Sequence, residues 1–127
     1  AYDEATGTFT TVLLRAANGE AEPAAIDAEL TQASPSSLRL RLGSAERLTA
    51  ADTRRAAAQV VHMLRLDDDL GPFHAMCAAD EGLAWAARRG AGRLLRSATM
   101  FEDLMKLLFT TNTSWSATEA MTRKLVA

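Results

Sequence analysis

The chain has 127 residues, 48% of them apolar and 24% charged, with a formal net charge of −2. That is the size of one compact domain or two small lobes, and the balance of a folded globular protein, which excludes wholesale disorder. No apolar run approaches the ~18 residues of a membrane-spanning helix, and no basic stretch followed by an apolar core marks a secretory signal. Cys77 stands alone, which excludes a disulfide framework and a CxxC metal pair. The expected setting is cytoplasmic, without a membrane partner. Seven basic and twelve acidic side chains give residues 1–80 a charge of −5, whereas seven and four give residues 81–127 a charge of +3. An excess of three is weak evidence for a basic face, and ordinary solvated surface charge explains it equally well.

Three N-terminal segments read as strands. Residues 8–16 (TFTTVLLRA) are rich in Thr, Val, Phe and Leu, and Asn18-Gly19 beyond them is a turn pair. Residues 25–33 (AIDAELTQA) favour helix by composition, but Ile26, Ala28 and Leu30 alternate as in a strand. Residues 37–42 (SLRLRL) put Leu38, Leu40 and Leu42 on one face, with Arg39 and Arg41 on the other. Ser34-Pro35-Ser36 is a tight turn that makes these last two segments antiparallel neighbours. A three-stranded sheet with one charged face needs a helical layer on its other face.

From Leu48 the period becomes helical. Thr49 with Asp52 three residues later resembles a capping box, and Ala56, Val60, Met63 and Leu64 form one stripe of a helix expected to run to about Leu66. Asp67-Asp68-Asp69 interrupts it, and a short helix restarts near Leu70 with Pro72 in its first turn. Leu83, Trp85 and Ala86 suggest another, ending near Gly90 and Gly92. Thr99 caps a helix in which Phe101, Leu104, Met105, Leu108 and Phe109 repeat at helical spacing. Residues 110–113 break that helix, and a final one from about Ser114 carries Trp115, Ala117, Met121, Leu125 and Val126. This last helix reaches Ala127 still amphipathic, without a capping signal, so the sequence is expected to be the N-terminal part of a longer protein. The fold class is α+β: residues 1–48 form a β-rich lobe, and residues 49–127 form the first helices of an incomplete helical domain.

The catalytic inventory is thin. His62 and His74 lie 12 residues apart without a second Cys, so each reads as a surface or packing residue rather than a zinc ligand. The Asp67–Asp69 run lacks the spaced ligands, central Gly and closing Glu of a calcium loop and reads as a helix cap. Gly90-Ala91-Gly92 does not follow a strand, so it is no phosphate-binding loop. Cys77 near His74 lacks a third orienting group and reads as a buried thiol. Trp85 and Trp115 read as core. No metal or cofactor is expected. One segment stands out: residues 110–114 place five small polar side chains before Trp115, between two apolar helices. It is either a turn whose side chains cap both helix ends, or a helix N-terminus presented to an anion such as a DNA phosphate.

Three blocks carry a family resemblance. Leu66-Asp67-Asp68-Asp69-Leu70, then Gly92-Arg93-Leu94-Leu95-Arg96, then Phe101-Glu102-Asp103-Leu104 running into Thr110-Thr111-Asn112-Thr113-Ser114 resemble the helix-hairpin-helix (HhH-GPD) DNA glycosylases. The similarity is greatest to the 8-oxoguanine DNA glycosylase and 3-methyladenine DNA glycosylase II branches, and it covers about residues 64–127. The resemblance implies an antiparallel β-rich lobe followed by an all-α domain, and a base-excision-repair enzyme that flips a damaged base and cleaves its N-glycosidic bond. It implies that Asn112, with Thr113 and Ser114 beside it, enters the minor groove and fills the gap left by the extruded base. The implied partners are double-stranded DNA with a damaged base and the C-terminal half of the same protein.

The family's hairpin, its Gly/Pro-rich loop and its catalytic Asp have no counterpart in these residues. Asp67, Asp68, Asp69, Asp80 and Asp103 do not stand where that aspartate belongs, and Lys106 and Lys124 do not sit in a hairpin. The chain alone is therefore expected to be inactive. Two other classes stay open: a non-catalytic DNA-binding module that keeps the Asn112 turn, and a protein-interaction domain in which that turn is only a cap.

Overall fold

The computed structural model describes residues 2–15 and 24–126. It is an α+β protein, with a four-stranded antiparallel sheet followed by five helices. By internal contacts the chain divides into Ala1–His62 and Met63–Ala127.

In the first unit the strands follow one another in the order β1 (Tyr2–Asp3), β2 (Thr8–Leu14), β3 (Ala25–Ser34) and β4 (Ser37–Gly43). β1 has no sequence period to betray it, being two residues long. Its turn into β2 is set by Asp3, whose carboxylate accepts from the Ala5 N–H at 3.0 Å and from the Thr6 hydroxyl at 2.7 Å. β3 is a strand despite its helix-favouring composition. Ile26, Ala28 and Leu30 are all buried on one face, opposite Leu13, Thr11 and Phe9 of β2. Leu40 and Leu42 of β4 stand opposite Leu30 and Ala28 and share that face. Leu38, opposite Gln32 in the last pair before a register shift between Gln32 and Ser34, is exposed. The other face is wet, and there Arg41 pairs with its cross-strand partner Glu29 at 3.6 Å. The turn read at Asn18-Gly19 and the end of the strand at Ala16 lie outside the described residues.

The first helix, α1 (Ala50–Leu64), ends two residues before the expected Leu66, because Arg65 turns left-handed at φ 51°. Its start is a reciprocal capping box. The Thr49 N–H donates to Asp52 Oδ2 at 2.9 Å, and the Asp52 N–H donates to Thr49 Oγ1 at 3.2 Å. Asp52, Ala56 and Val60, four residues apart, form a buried stripe. Two side chains tie this helix to the end of β2. Arg15 reaches Asp52 at 3.0 Å and Glu46 at 2.6 Å, and Gln59 Nε2 donates to the Leu14 carbonyl at 2.9 Å.

The second unit holds α2 (Gly71–Ala78), α3 (Ala84–Arg89), α4 (Met100–Thr110) and α5 (Trp115–Val126). Asp69 Oδ1 accepts from the Gly71 N–H at 2.8 Å and so caps the start of α2, the role read for the acidic run. Gly90 is the left-handed C-cap of α3 at φ 62°. Cys77 and Ala86 are buried. No residue of α4 is buried, although its N-cap Thr99 accepts from the Glu102 N–H as expected. Helical spacing identifies the apolar face of α4, but spacing carries no information about whether anything covers it. Both tryptophans, read as core, are exposed: Trp85 at 52% and Trp115 at 74%. No helix among the described residues is long and apolar enough to cross a membrane.

The Asp52 cluster makes acid stability testable. Bonds from the Thr49 hydroxyl and the Thr49 N–H, then from Arg15, favour the carboxylate over the opposing effect of desolvation and hold its pKa down from 3.8 to about 2. A folded-state pKa below the unfolded one stabilises the fold above the unfolded value, and that stabilisation is lost as pH falls through the folded one. Wild type is therefore expected to exceed Asp52→Asn in stability at neutral pH, with the gap closing as pH falls from 3.8 toward 2. Denaturant unfolding followed by circular dichroism along a pH series checks this, and a gap that persists undiminished at the acid end contradicts it.

Candidate nucleic-acid interface

The segment between α3 and α4 has no regular structure, yet it is pinned to its surroundings. The Arg96 N–H donates to the Met63 carbonyl at 2.9 Å, and Arg93 Nη1 donates to the Arg65 carbonyl and, at 3.4 Å, to the Asp68 carbonyl. Arg93 thus serves the carbonyls just beyond α1. His74 Nε2 lies 2.8 Å from the Ala91 carbonyl, which fixes the segment's start and gives that histidine a structural partner. At its other end the Ser97 N–H donates to Asp103 Oδ1 at 3.0 Å, and Ser97 Oγ accepts from Lys106 Nζ at 3.0 Å. Lys106 also meets Glu102 at 2.6 Å. The Gly-Arg-Leu-Leu-Arg block is thus held by residues 63–68, and Ser97 just after it is joined to α4.

α4 then ends in a run of hydroxyls. The last four carbonyls of a helix lack intrahelical partners. Here the Leu107 carbonyl accepts from the hydroxyls of Thr110 at 2.7 Å and Thr111 at 3.2 Å. The Leu108 carbonyl accepts from the Thr111 N–H at 3.1 Å. The Phe109 carbonyl accepts from the hydroxyls of Thr113 and, at 2.9 Å, Thr118. Asn112 follows in the left-handed region at φ 53°, a conformation that Asn tolerates better than most residues with a side chain. Ser114 opens α5: its Oγ accepts from the Ala117 N–H at 3.3 Å, and its carbonyl accepts from the Thr118 N–H at 3.0 Å. In helix geometry the N–H groups of Trp115 and Ser116 then point forward from the first turn, the end favoured by anions.

Asn112, Thr113 and Ser114 are brought together as one exposed tip, and Trp115 beside them is exposed as well. A groove of about 360 Å³ runs next to this tip, with Trp115, Thr110 and Thr118 among its walls. Its two cations are engaged, Lys106 by Glu102 and Arg123 by Glu119 at 3.8 Å. The residue that composition does not single out is Thr118. It reads as an unremarked mid-helix threonine, yet it is buried at 8% exposure and bonded to both sides of the turn. Its only sequence signal is a second Thr five positions after Thr113. Among the described residues no three His, Cys, Asp or Glu side chains converge as a metal site would require.

Comparison with protein-family models, curated proteins and solved structures returns no match to this chain.

Two glycines at the head of the pinned segment should differ in what they tolerate. A Cβ on Gly92, at φ 115°, would lie 2.5 Å from Phe73 Cε1, whereas Gly90 at φ 62° has nothing within 4 Å. Gly90→Ala is expected to cost about 1 kcal/mol through backbone conformation alone. Gly92→Ala combines that strain with a ring clash and is expected to cost about 3 kcal/mol. Urea denaturation of both variants checks the order, and equal losses contradict the packing described for Phe73.

Proposed function

We propose that this chain is the N-terminal, DNA-engaging part of a base-excision DNA glycosylase, and that its Asn112 tip fills the space a flipped base leaves in duplex DNA. The observation that carries this reading is the tip itself: a left-handed Asn held between a hydroxyl-terminated α4 and a Ser-capped α5, exposed to solvent. Extruding a base leaves a hole in the stack and an orphaned partner base. A short polar side chain on a fixed backbone can enter from the minor groove and hydrogen-bond that orphan. The first-turn N–H groups of α5 are then placed to meet a phosphate. The resemblance in residues 64–127 and the order of sheet before helices support the same reading.

The chemistry of N-glycosidic cleavage calls for a carboxylate beside the flipped base, and several aspartates of this region already have structural work. Asp68 pairs with Arg65, Asp69 caps α2, Asp80 accepts from the N–H groups of Gly82 and Leu83, and Asp103 accepts from the Ser97 N–H. In this reading the catalytic aspartate and the helix-hairpin-helix belong to a part of the parent protein outside these residues. The uncovered apolar face of α4 is then the surface on which that part packs.

The same face favours one other reading, a protein-interaction module that docks through Phe101, Leu104 and Leu108. Concentration-dependent association without any DNA affinity distinguishes it.

The test is fluorescence anisotropy with a duplex containing an abasic site and with its intact counterpart. Asn112→Gly removes the side chain while tolerating the left-handed backbone, which Asn112→Ala would strain. It is expected to weaken binding to the abasic duplex about tenfold, the effect of one well-made polar contact to a base, and to change intact-duplex binding little. The chain itself is expected to release no base from damaged DNA. Equal losses on both duplexes, or base release by the 127-residue chain, contradict the proposal.

A further inference from the structure

We propose that Thr118 is the positioning residue of the Asn112 tip, a buried hydroxyl that holds the turn in its DNA-ready shape before any duplex arrives. The inference rests on the DNA reading of that tip.

Three contacts meet at the end of α4: Thr113 to the Phe109 carbonyl, Thr118 to the same carbonyl at 2.9 Å, and Thr113 to Thr118 at 3.0 Å. Two hydroxyl protons can fill only two of these three contacts at once, so Thr113 and Thr118 bond each other only when one of them turns its proton from the Phe109 carbonyl to its neighbour. The two threonines are not equivalent. Thr113 is exposed, so water can compete for its bonds, whereas Thr118 is only 8% exposed. Thr118 sits one turn into α5, and Phe109 is the last residue but one of α4. Their bond therefore ties the helix before the tip to the helix after it, across nine residues of chain. Asn112 lies between the two anchor points, at a positive φ. With both ends fixed, the tip can hold that conformation in the free protein and need not be ordered on binding.

Val and Ser substitutions at position 118 separate the hydroxyl from the shape. Thr118→Val keeps the volume and removes the hydroxyl; Thr118→Ser keeps the hydroxyl. In the free protein, backbone amide shifts of residues 110–114 are expected to move in Thr118→Val and to return near wild-type values in Thr118→Ser. In the anisotropy assay the preference for abasic over intact duplex is expected to fall about fivefold in Thr118→Val, the worth of one hydrogen bond, and to survive in Thr118→Ser. The double variant Asn112→Gly/Thr118→Val is expected to show no preference below that of Asn112→Gly alone. If Thr118→Val does not fold, Thr118→Ala removes the same hydroxyl with a smaller side chain and is read by the same two measurements. An unmoved turn in Thr118→Val overturns the positioning role by itself. A moved turn with unchanged duplex preference, while Asn112→Gly lowers that preference, also overturns it. If Asn112→Gly leaves the preference unchanged, the DNA reading fails and the proposed role fails with it, whatever the turn does.

Discussion

The backbone carbonyls that α4 leaves without partners constrain everything around the tip. A helix that stops must give its last carbonyls to something, and in this chain four threonine hydroxyls take two of them. The Phe109 carbonyl is the critical one, because both of its hydroxyl partners lie beyond the turn. Once it is bonded to Thr113 and Thr118, the intervening backbone must reverse within three residues, and Asn112 takes the left-handed conformation that permits the reversal. The same geometry places Ser114 as the N-cap of α5 and leaves the tip in solvent.

The two units differ in how they treat apolar surface. In residues 1–62 the alternation of β2 and β3 and the stripe of α1 end in buried side chains, with Leu13 and Ile26 wholly or almost wholly enclosed. Among the described residues of the second unit the apolar burial is sparse: Met63, Cys77 and Ala86 are enclosed, while Met100, Phe101, Leu104, Leu107 and Leu108 all remain exposed. Five large apolar side chains on one eleven-residue helix are far from the scattered single exposures of an ordinary surface. Under the proposed function that face is where the catalytic part of the parent protein packs, with the tip just beyond the end of the same helix.

Much of this fold is legible in the sequence where one residue type does one local job. The Thr49/Asp52 box, the Thr99 cap and the cap by Asp69 follow from side chains reaching neighbours two or three residues away, and the Gly90 C-cap from the left-handed backbone that glycine allows. The strand nature of β3 is legible from Ile26, Ala28 and Leu30, because a period of two outweighs the weak helix preference of Ala and Glu once one face is buried. β1 is not legible: two residues have no period, and their pairing depends on the Asp3 turn. The candidate site is legible only in part. Asn112, Thr113 and Ser114 stand out as a polar interruption, but the role of Thr118 depends on a bond across nine residues that no local pattern encodes. The exposure of Trp115 was likewise hidden, since hydrophobicity shows what a side chain prefers and not whether the fold provides it.

The central claim is that duplex DNA is met by the tip between α4 and α5. The most direct measurement is an amide-resolved NMR titration of the chain with a duplex carrying one abasic site. The account predicts that the largest shift changes fall on residues 111–118, with much smaller ones on the strands. Binding that shifts the sheet or the apolar face of α4 while leaving Asn112, Thr113 and Ser114 unmoved would contradict it.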